Sequence, residues 1–272
     1  MSEIRGALTL ITGAASGFGR LLALKVAQEG GHLVLIDRDE RGLEETAEAC
    51  RKYDVQVWPY VVDLSSREEV FNVADRIKAE AGTVDILVNN AGVVTGTSFR
   101  EAPIEKIEAT FAVNTLAHFW LVKAFLEEMI ARNRGHIVTI SSAAGLIGVR
   151  KLADYCASKF AVFGFTESLR MEFKKEGIDI KTTIVAPYYA KTGMFEGVKT
   201  RFPWLLPLLE PEYVVDRVFR AIKRNSPLVV LPPIVRSVWF FRLCGVRVFD
   251  FVADLLGVHT SMDTFIGRRN KQ

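Results

Sequence analysis

The sequence predicts an α/β fold, a doubly wound, mostly parallel sheet of seven strands with an amphipathic helical C-terminal extension. Three observations carry that reading. Short apolar runs alternate with longer amphipathic stretches along nearly the whole chain. The runs are continuous rather than in–out alternating, which suits strands covered on both faces. A glycine cluster directly follows the first run and opens a helical pattern, as in nucleotide-binding βα turns.

The first strand is read at 7–12 (ALTLIT), where Gly13 cuts it off, and a helix is expected over 17–30. The second strand, 32–37 (HLVLID), ends on Asp37 and precedes a helical pattern at 39–53. The third, 57–63 (VWPYVVD), precedes 66–81, and the fourth, 84–89 (VDILVN), leads to a long helical pattern over 103–131. The fifth, 136–141 (HIVTIS), precedes a helix at 153–175. The sixth, 180–186, and the seventh, 228–231, bracket a helix at 211–224. Strict β-α alternation demands right-handed crossovers. No linker or repeat interrupts it, so residues 1–272 read as one domain, with residues 233–272 as its C-terminal extension.

Composition narrows the function classes. The chain is 49% apolar and carries a net charge of only +3, with basic and acidic residues interleaved, so no nucleic-acid surface is indicated. Cys50, Cys156 and Cys244 lie far apart with no pairing pattern, which fits a reducing, cytoplasmic setting. The four histidines form no ligand cluster, so no metal site is expected. The N-terminus has no signal-peptide core, because Gly13 ends the first apolar run too soon.

The stretch TLITGAASGFGRLLA places Gly13, Ser16, Gly17, Phe18 and Gly19 between a strand and a helix. Glycines let the backbone approach a pyrophosphate, and the helix N-terminus supplies N–H donors. The spacing G-x-x-x-G-x-G differs from the commoner G-x-G-x-x-G. Asp37 follows Gly19 by 18 residues, where an acid can accept both ribose hydroxyls and repel a 2′-phosphate. That favours NAD over NADP, although the neighbouring Arg38 could face a phosphate.

Tyr155 and Lys159 are four apart and share a helical face. Ser141 and Ser142 end the fifth strand, and Asn89-Asn90-Ala91-Gly92 ends the fourth, both at the sheet edge where open α/β folds bind ligands. Asn114 lies inside the long helical pattern.

Together these residues resemble the short-chain dehydrogenase/reductase family over about residues 5 to 232. The likeness rests on Thr12-Gly13-x-x-x-Gly17-x-Gly19, Asp63, Asn89 to Gly92, Asn114, Ser142, Tyr155 and Lys159. It implies a Rossmann-type fold and hydride transfer between a nicotinamide cofactor and a CH–OH group. Tyr155 would be the general base, Lys159 would lower its pKa and hold the nicotinamide ribose, and Ser142 would hold the substrate oxygen. Asn114 would order a water in a proton relay. Asp63 and Leu64 would meet the adenine, Asn90, Ala91 and Gly92 the adenosine ribose side, and Pro187 and Thr192 the nicotinamide or a phosphate. The family's usual Pro-Gly after the sixth strand is here Pro187-Tyr188, and Tyr188 is expected to wall the substrate pocket.

Residues 193–211 occupy the family's substrate lid. Their apolar side chains, Met194 and Trp204 among them, suit a lipophilic substrate, and three prolines oppose one continuous helix. Details around Tyr155 and the long apolar tail resemble the retinol and 17β-hydroxysteroid dehydrogenase branch, whose N-terminal hydrophobic anchor is missing here. The expected activity is NAD-dependent oxidation of a retinoid, steroid or long-chain alcohol. The alternatives are a carbonyl or 3-oxoacyl-thioester reductase, and a catalytically silent NAD-binding scaffold. The resemblance also implies a homodimer or homotetramer built on the helices at 103–131 and 153–175.

The tail LVVLPPIVRSVWFFRLCGVRVFDFVADLLGVH is apolar but too often charged to span a bilayer; its longest charge-free piece is Leu228 to Val235. As one helix the tail would place Arg236, Arg247, Asp250 and Asp254 on one narrow face, with Arg242 outside it, whereas Gly245 favours two shorter helices. The tail is expected to wall the substrate entrance or a subunit interface, and to touch a membrane surface peripherally at most.

Overall fold

The computed structural model describes residues 2–267, so the last five residues of the expected extension lie outside the described residues. Seven strands form one parallel sheet in the order β3-β2-β1-β4-β5-β6-β7. They are β1 (Leu8–Thr12), β2 (His32–Asp37), β3 (Val57–Val61), β4 (Ile86–Asn89), β5 (Gly135–Ile140), β6 (Ile180–Pro187) and β7 (Leu228–Leu231). β3 stops two residues short of the expected 57–63, and Asp63 belongs to the turn that follows.

The helices are α1 (Gly17–Gln28), α2 (Glu40–Arg51), α3 (Arg67–Glu80), α4 (Ile104–Phe111), α5 (Ala117–Ala131), α6 (Ala153–Glu176), α7 (Pro211–Arg224), α8 (Ser237–Leu243) and α9 (Val246–Leu255). Leu10 and Ile11 are neighbours in β1 and both fully buried, yet each belongs to a different core cluster. Successive strand residues point to opposite faces, so both faces of β1 are covered and the run must be apolar throughout. One cluster packs Ile11 and Leu35 with Leu22, Val26, Val218 and Phe219 from α1 and α7. The other packs Leu10, Ile36 and Leu87 with Ile77 from α3 and Phe125 and Met129 from α5.

The helix expected over 103–131 is interrupted by a π-turn at Ala112–Leu116, which joins α4 to α5. Ile104–Ala131 is long and apolar enough to cross a membrane by length and composition, with a mean hydropathy of 1.2. Its buried residues Leu121, Phe125 and Met129 instead pack into the second core cluster.

β1 lies between β2 and β4, so the direction of winding reverses there. The loops after β1 and β4 leave in opposite directions and open a crevice at the carboxyl edge. On the far side of that edge, Gly245 adopts φ +89 and divides the tail into α8 and α9. At 100° per residue, α9 carries three stripes. Phe249, Val252, Ala253 and Leu256 face inward; Val248, Phe251 and Leu255 form an exposed apolar stripe; Arg247, Asp250 and Asp254 form the charged one.

Candidate active site

The crevice begins at the turn after β1. Gly13 and Gly17 have φ of +67 and +54, a region closed to most side chains. A Cβ on Gly19 would lie 2.1 Å from the Gly13 carbonyl oxygen, so α1 can pack this close to the loop only with glycine there. Thr12 fixes the other wall. Its Oγ1 accepts the Asn90 and Ala91 amides at 2.9 and 3.0 Å, while Asn90 Nδ2 donates to the Thr12 carbonyl at 2.7 Å. The glycine loop and the Asn89–Gly92 loop are thus stapled together.

At the end of β2, the Asp37 carboxylate accepts the Ala15 amide at 2.9 Å and the Asp39 amide at 3.1 Å. These bonds hold it in the crevice beside Arg38. Asp63 accepts the Ser65 amide and hydroxyl at 2.9 and 2.8 Å, which holds its carboxyl below the usual range. Ser16, Phe18, Leu64, Ala91, Gly92, Pro187 and Thr192 also line the crevice, with Thr192 over Gly17. Gly19 and Asn114 lie behind the surface rather than on it. A glycine cradle at a helix N-terminus, with an acid at the adjacent strand end, fits a dinucleotide.

The reacting end lies where β5 and α6 meet. Lys159 is 3% exposed and its Nζ donates to the Ile140 carbonyl at 2.9 Å. Ser142 Oγ accepts the Ala144 amide at 3.1 Å and donates to the Pro187 carbonyl at 3.4 Å. Gly92 leaves the gap between Asn114 and Lys159: a Cβ there would meet Asn114 Oδ1 at 3.3 Å and Lys159 Nζ at 3.5 Å. The Asn114 amide ties the loop after β4 to α6. Its Oδ1 accepts the Val93 amide at 2.7 Å, and its Nδ2 donates to the Val93 carbonyl and Ser158 Oγ at 2.9 and 3.1 Å.

Burial raises the Tyr155 pKa above its ordinary value, and the nearby Ser142 hydroxyl opposes this only in part. Lys159 Nζ lies 5.7 Å from the Tyr155 ring centroid. Burial in turn brings Lys159 down to about 8. His118, behind the site, is pushed to about 3 by burial and by Lys159, and so is neutral at physiological pH. Neither of its ring nitrogens makes a hydrogen bond, because the nearby Ala91 carbonyl falls outside bonding geometry.

A second, apolar pocket adjoins the crevice. Ser142, Tyr155, Tyr188 and Phe195 line both. Tyr188 therefore does wall the junction, and burial raises its pKa. Met194 lines the crevice rather than the apolar pocket. Trp204 lines neither: it is 80% exposed, because Leu205 and Leu206 turn inward in its place. Phe195, not singled out from the sequence, packs edge-on against Tyr155 with ring centroids 5.6 Å apart. The only hint of it was its place beside Met194 in an apolar segment. The far wall comes from the tail: Val238 and Phe241 of α8, and Phe249, Val252, Ala253 and Leu256 at α9.

The tail beyond α9 crosses the segment expected as a lid. Ile266 N donates to the Glu196 carbonyl at 2.9 Å, Lys199 N to the Ser261 carbonyl at 3.2 Å, and Thr264 Oγ1 to the Gly197 carbonyl at 2.6 Å. Arg150 pairs with Asp263, and the Tyr189 hydroxyl meets Ser261 Oγ at 3.0 Å.

The model of the short chain dehydrogenase family matches residues 7–201. Human epidermal retinol dehydrogenase 2 is 47% identical over 272 residues, covering 99% of this chain and 88% of that protein. A short chain dehydrogenase/reductase from Burkholderia phymatum, solved with NAD, superposes with a TM-score of 0.80 at 30% identity, over 89% of this chain and 95% of that one. A short-chain dehydrogenase from Sphingobium yanoikuyae, solved with NADPH, gives 0.77 at 28% identity, over 91% and 95% of the two chains.

Lys159 links the site to stability. Its pKa falls from 10.5 in the unfolded chain to about 8 when folded, so between these values the unfolded chain binds more protons and stability rises with pH. Below pH 8 the folded chain carries the buried charge at a cost. Lys159→Met is expected to remove the slope across this window and to stabilise the fold at pH 7 by on the order of 1–3 kcal/mol. Urea unfolding of both proteins at pH 7 and pH 10 measures it, and parallel pH dependences would refute it.

Proposed function

The chain belongs to the short chain dehydrogenase family, and from that premise we propose that it oxidises a lipophilic alcohol of the retinoid, steroid or long-chain class, reversibly, with NAD. The observation that carries this reading is the shared wall of Ser142, Tyr155, Tyr188 and Phe195. On one side lies the dinucleotide cradle, and on the other an apolar pocket that buries a hydrocarbon body.

When bound, NAD supplies the acceptor for the carbinol hydride. The chain's own residues handle the proton and the oxygen. Ser142 Oγ, fixed at the end of β5, donates to the substrate oxygen and holds it beside the Tyr155 phenol. Tyr155 takes the alcohol proton as general base, and returns it in the reverse direction. The buried phenol needs a positive neighbour to ionise near neutrality, and Lys159, brought to about 8, keeps a charge on the same helical face. Asn114 acts by anchoring Val93 and Ser158, which places the π-turn backbone beside Lys159 for a water relay. Asp37 accepts the ribose hydroxyls and disfavours a 2′-phosphate.

Two surfaces extend the reading. Leu116, Phe119, Phe160 and Met171 are exposed apolar residues at α5 and α6, suited to pairing with a second copy. Trp239, Phe240 and Leu243 of α8 and Phe251 and Leu255 of α9 are exposed on the outside of the pocket wall, with Arg236 and Arg247 nearby in the chain. An apolar stripe bordered by basic residues suits peripheral contact with an anionic lipid surface.

Tyr155→Phe is expected to lower turnover by about 10²–10⁴-fold, with NADH binding by fluorescence titration nearly unchanged; full activity sinks the mechanism. A panel of retinol, steroids, long-chain alcohols and small polyols with NAD tests the substrate class, and a preference for the polyols overturns it. In the same assay kcat/KM is expected to be higher with NAD than with NADP, the reverse result removing Asp37 from its role. The wild-type chain is expected to float with anionic vesicles, and a Phe240→Asp/Leu243→Asp variant to stay behind; equal behaviour refutes the lipid contact.

A further inference from the structure

The apolar pocket has two outer walls, and they are fastened very differently. The segment after β6 is anchored at its base, where Leu209 N donates to the Tyr189 carbonyl at 2.8 Å and Lys191 N to the Leu209 carbonyl at 3.0 Å. Farther out, the tail adds four more bonds to backbone carbonyls: Ile266 N and Gly267 N donate to Glu196, Thr264 Oγ1 donates to Gly197, and Lys199 N donates to Ser261. The α8–α9 pair faces solvent with most of its side chains and closes the pocket with Val238, Phe241, Phe249 and Val252.

One side chain ties this pair to the catalytic loop. Arg242 Nη2 donates to the Leu146 carbonyl at 2.9 Å, four residues beyond Ser142. The guanidinium carbon lies 5.0 Å from the Phe249 ring centroid on α9 and 5.8 Å from that of Phe160 on α6. Arg242 thus joins α8, α9, α6 and the loop after β5. A planar, delocalised cation can bond a carbonyl at its edge while its faces lie against rings, which an ammonium cannot do equally well.

We propose that Arg242 is a specificity-determining positioning residue: it latches the α8–α9 pair over the apolar pocket, and that pair is where long substrates gain access. The latch touches neither the substrate nor Tyr155. It sets how well the outer wall is formed around the part of the substrate remote from the reacting carbon. Its loss should therefore weaken binding of long alcohols more than short ones, because remote contacts act on ground state and transition state alike.

The proposal rests on the lipophilic-alcohol reading for its kinetic arm, and hydrogen exchange tests it independently. Wild type, Arg242→Met, Arg242→Lys and the control Arg247→Met are compared with retinol and with a short secondary alcohol. Arg242→Met is expected to speed amide exchange across Ser237–Leu256 and to raise KM for retinol by about 3- to 10-fold relative to the short alcohol, with kcat for retinol nearly constant. Arg242→Lys should recover part of both effects, and Arg247→Met should match wild type. Wild-type exchange and KM ratio in Arg242→Met would overturn the latch, as would an equal loss of kcat for both alcohols. Should Arg242→Met fail to fold, Arg242→Lys decides: a partial shift supports the latch and wild-type values overturn it. Should wild type turn over no alcohol in the panel, the substrate reading fails while the exchange comparison still judges the latch.

Discussion

The site depends first on the hydroxyl of Thr12. One oxygen accepts two amides from the loop after β4 and lies 3.4 Å from the Val88 carbonyl, to which it donates. It does so at the one point in the sheet where the winding reverses, between two strands whose loops diverge. Each such bond adds only about 1 kcal/mol net, but leaving the buried amides unpaired would cost more. With the staple closed, Asn90 sits over Gly13 and Gly92 passes between Asn114 and Lys159. The glycine cradle and the cluster of Asn114, Tyr155 and Lys159 are therefore parts of one junction.

Around that junction burial works against charge. Tyr155 and Lys159 are both nearly inaccessible, and burial favours the neutral form of each. Burial makes the tyrosine a weaker acid and the lysine a weaker base, so it moves their proton affinities apart rather than together. The neutral His118 behind them adds no competing cation. Such a site is poised for charge to be brought in by what binds, rather than held in advance.

Much of this was legible in the residues. The strand runs, the glycine turn, Asp37, Ser142, Tyr155 and Lys159 carry local signals, because strand period, turn chemistry and helical spacing act over a few residues. The division of the tail at Gly245 was legible for the same reason. Other features depend on contacts between distant segments. The π-turn at Ala112–Leu116 has no pattern of its own, and neither did the bonding of the Asn114 amide to Val93. Trp204 looked like a pocket residue by type, yet the direction of a side chain in a proline-rich segment is set by packing, and Leu205 and Leu206 took the inward positions. The spacing of Tyr155 to Lys159 is visible in a sequence, and the depth of burial of the pair is not.

The two halves of the site are separated along the chain as well as in space. The cradle and the proton-handling groups are complete by Thr192, whereas much of the apolar wall and the strap across the outer segment come after residue 233. A ribosome delivers these parts in order, so a nascent chain can assemble a nucleotide-binding core well before it owns a hydrophobic pocket. The α8–α9 pair in that late segment is largely exposed. Variation there can retune which hydrocarbon is accepted without reopening the older problem of folding around a dinucleotide.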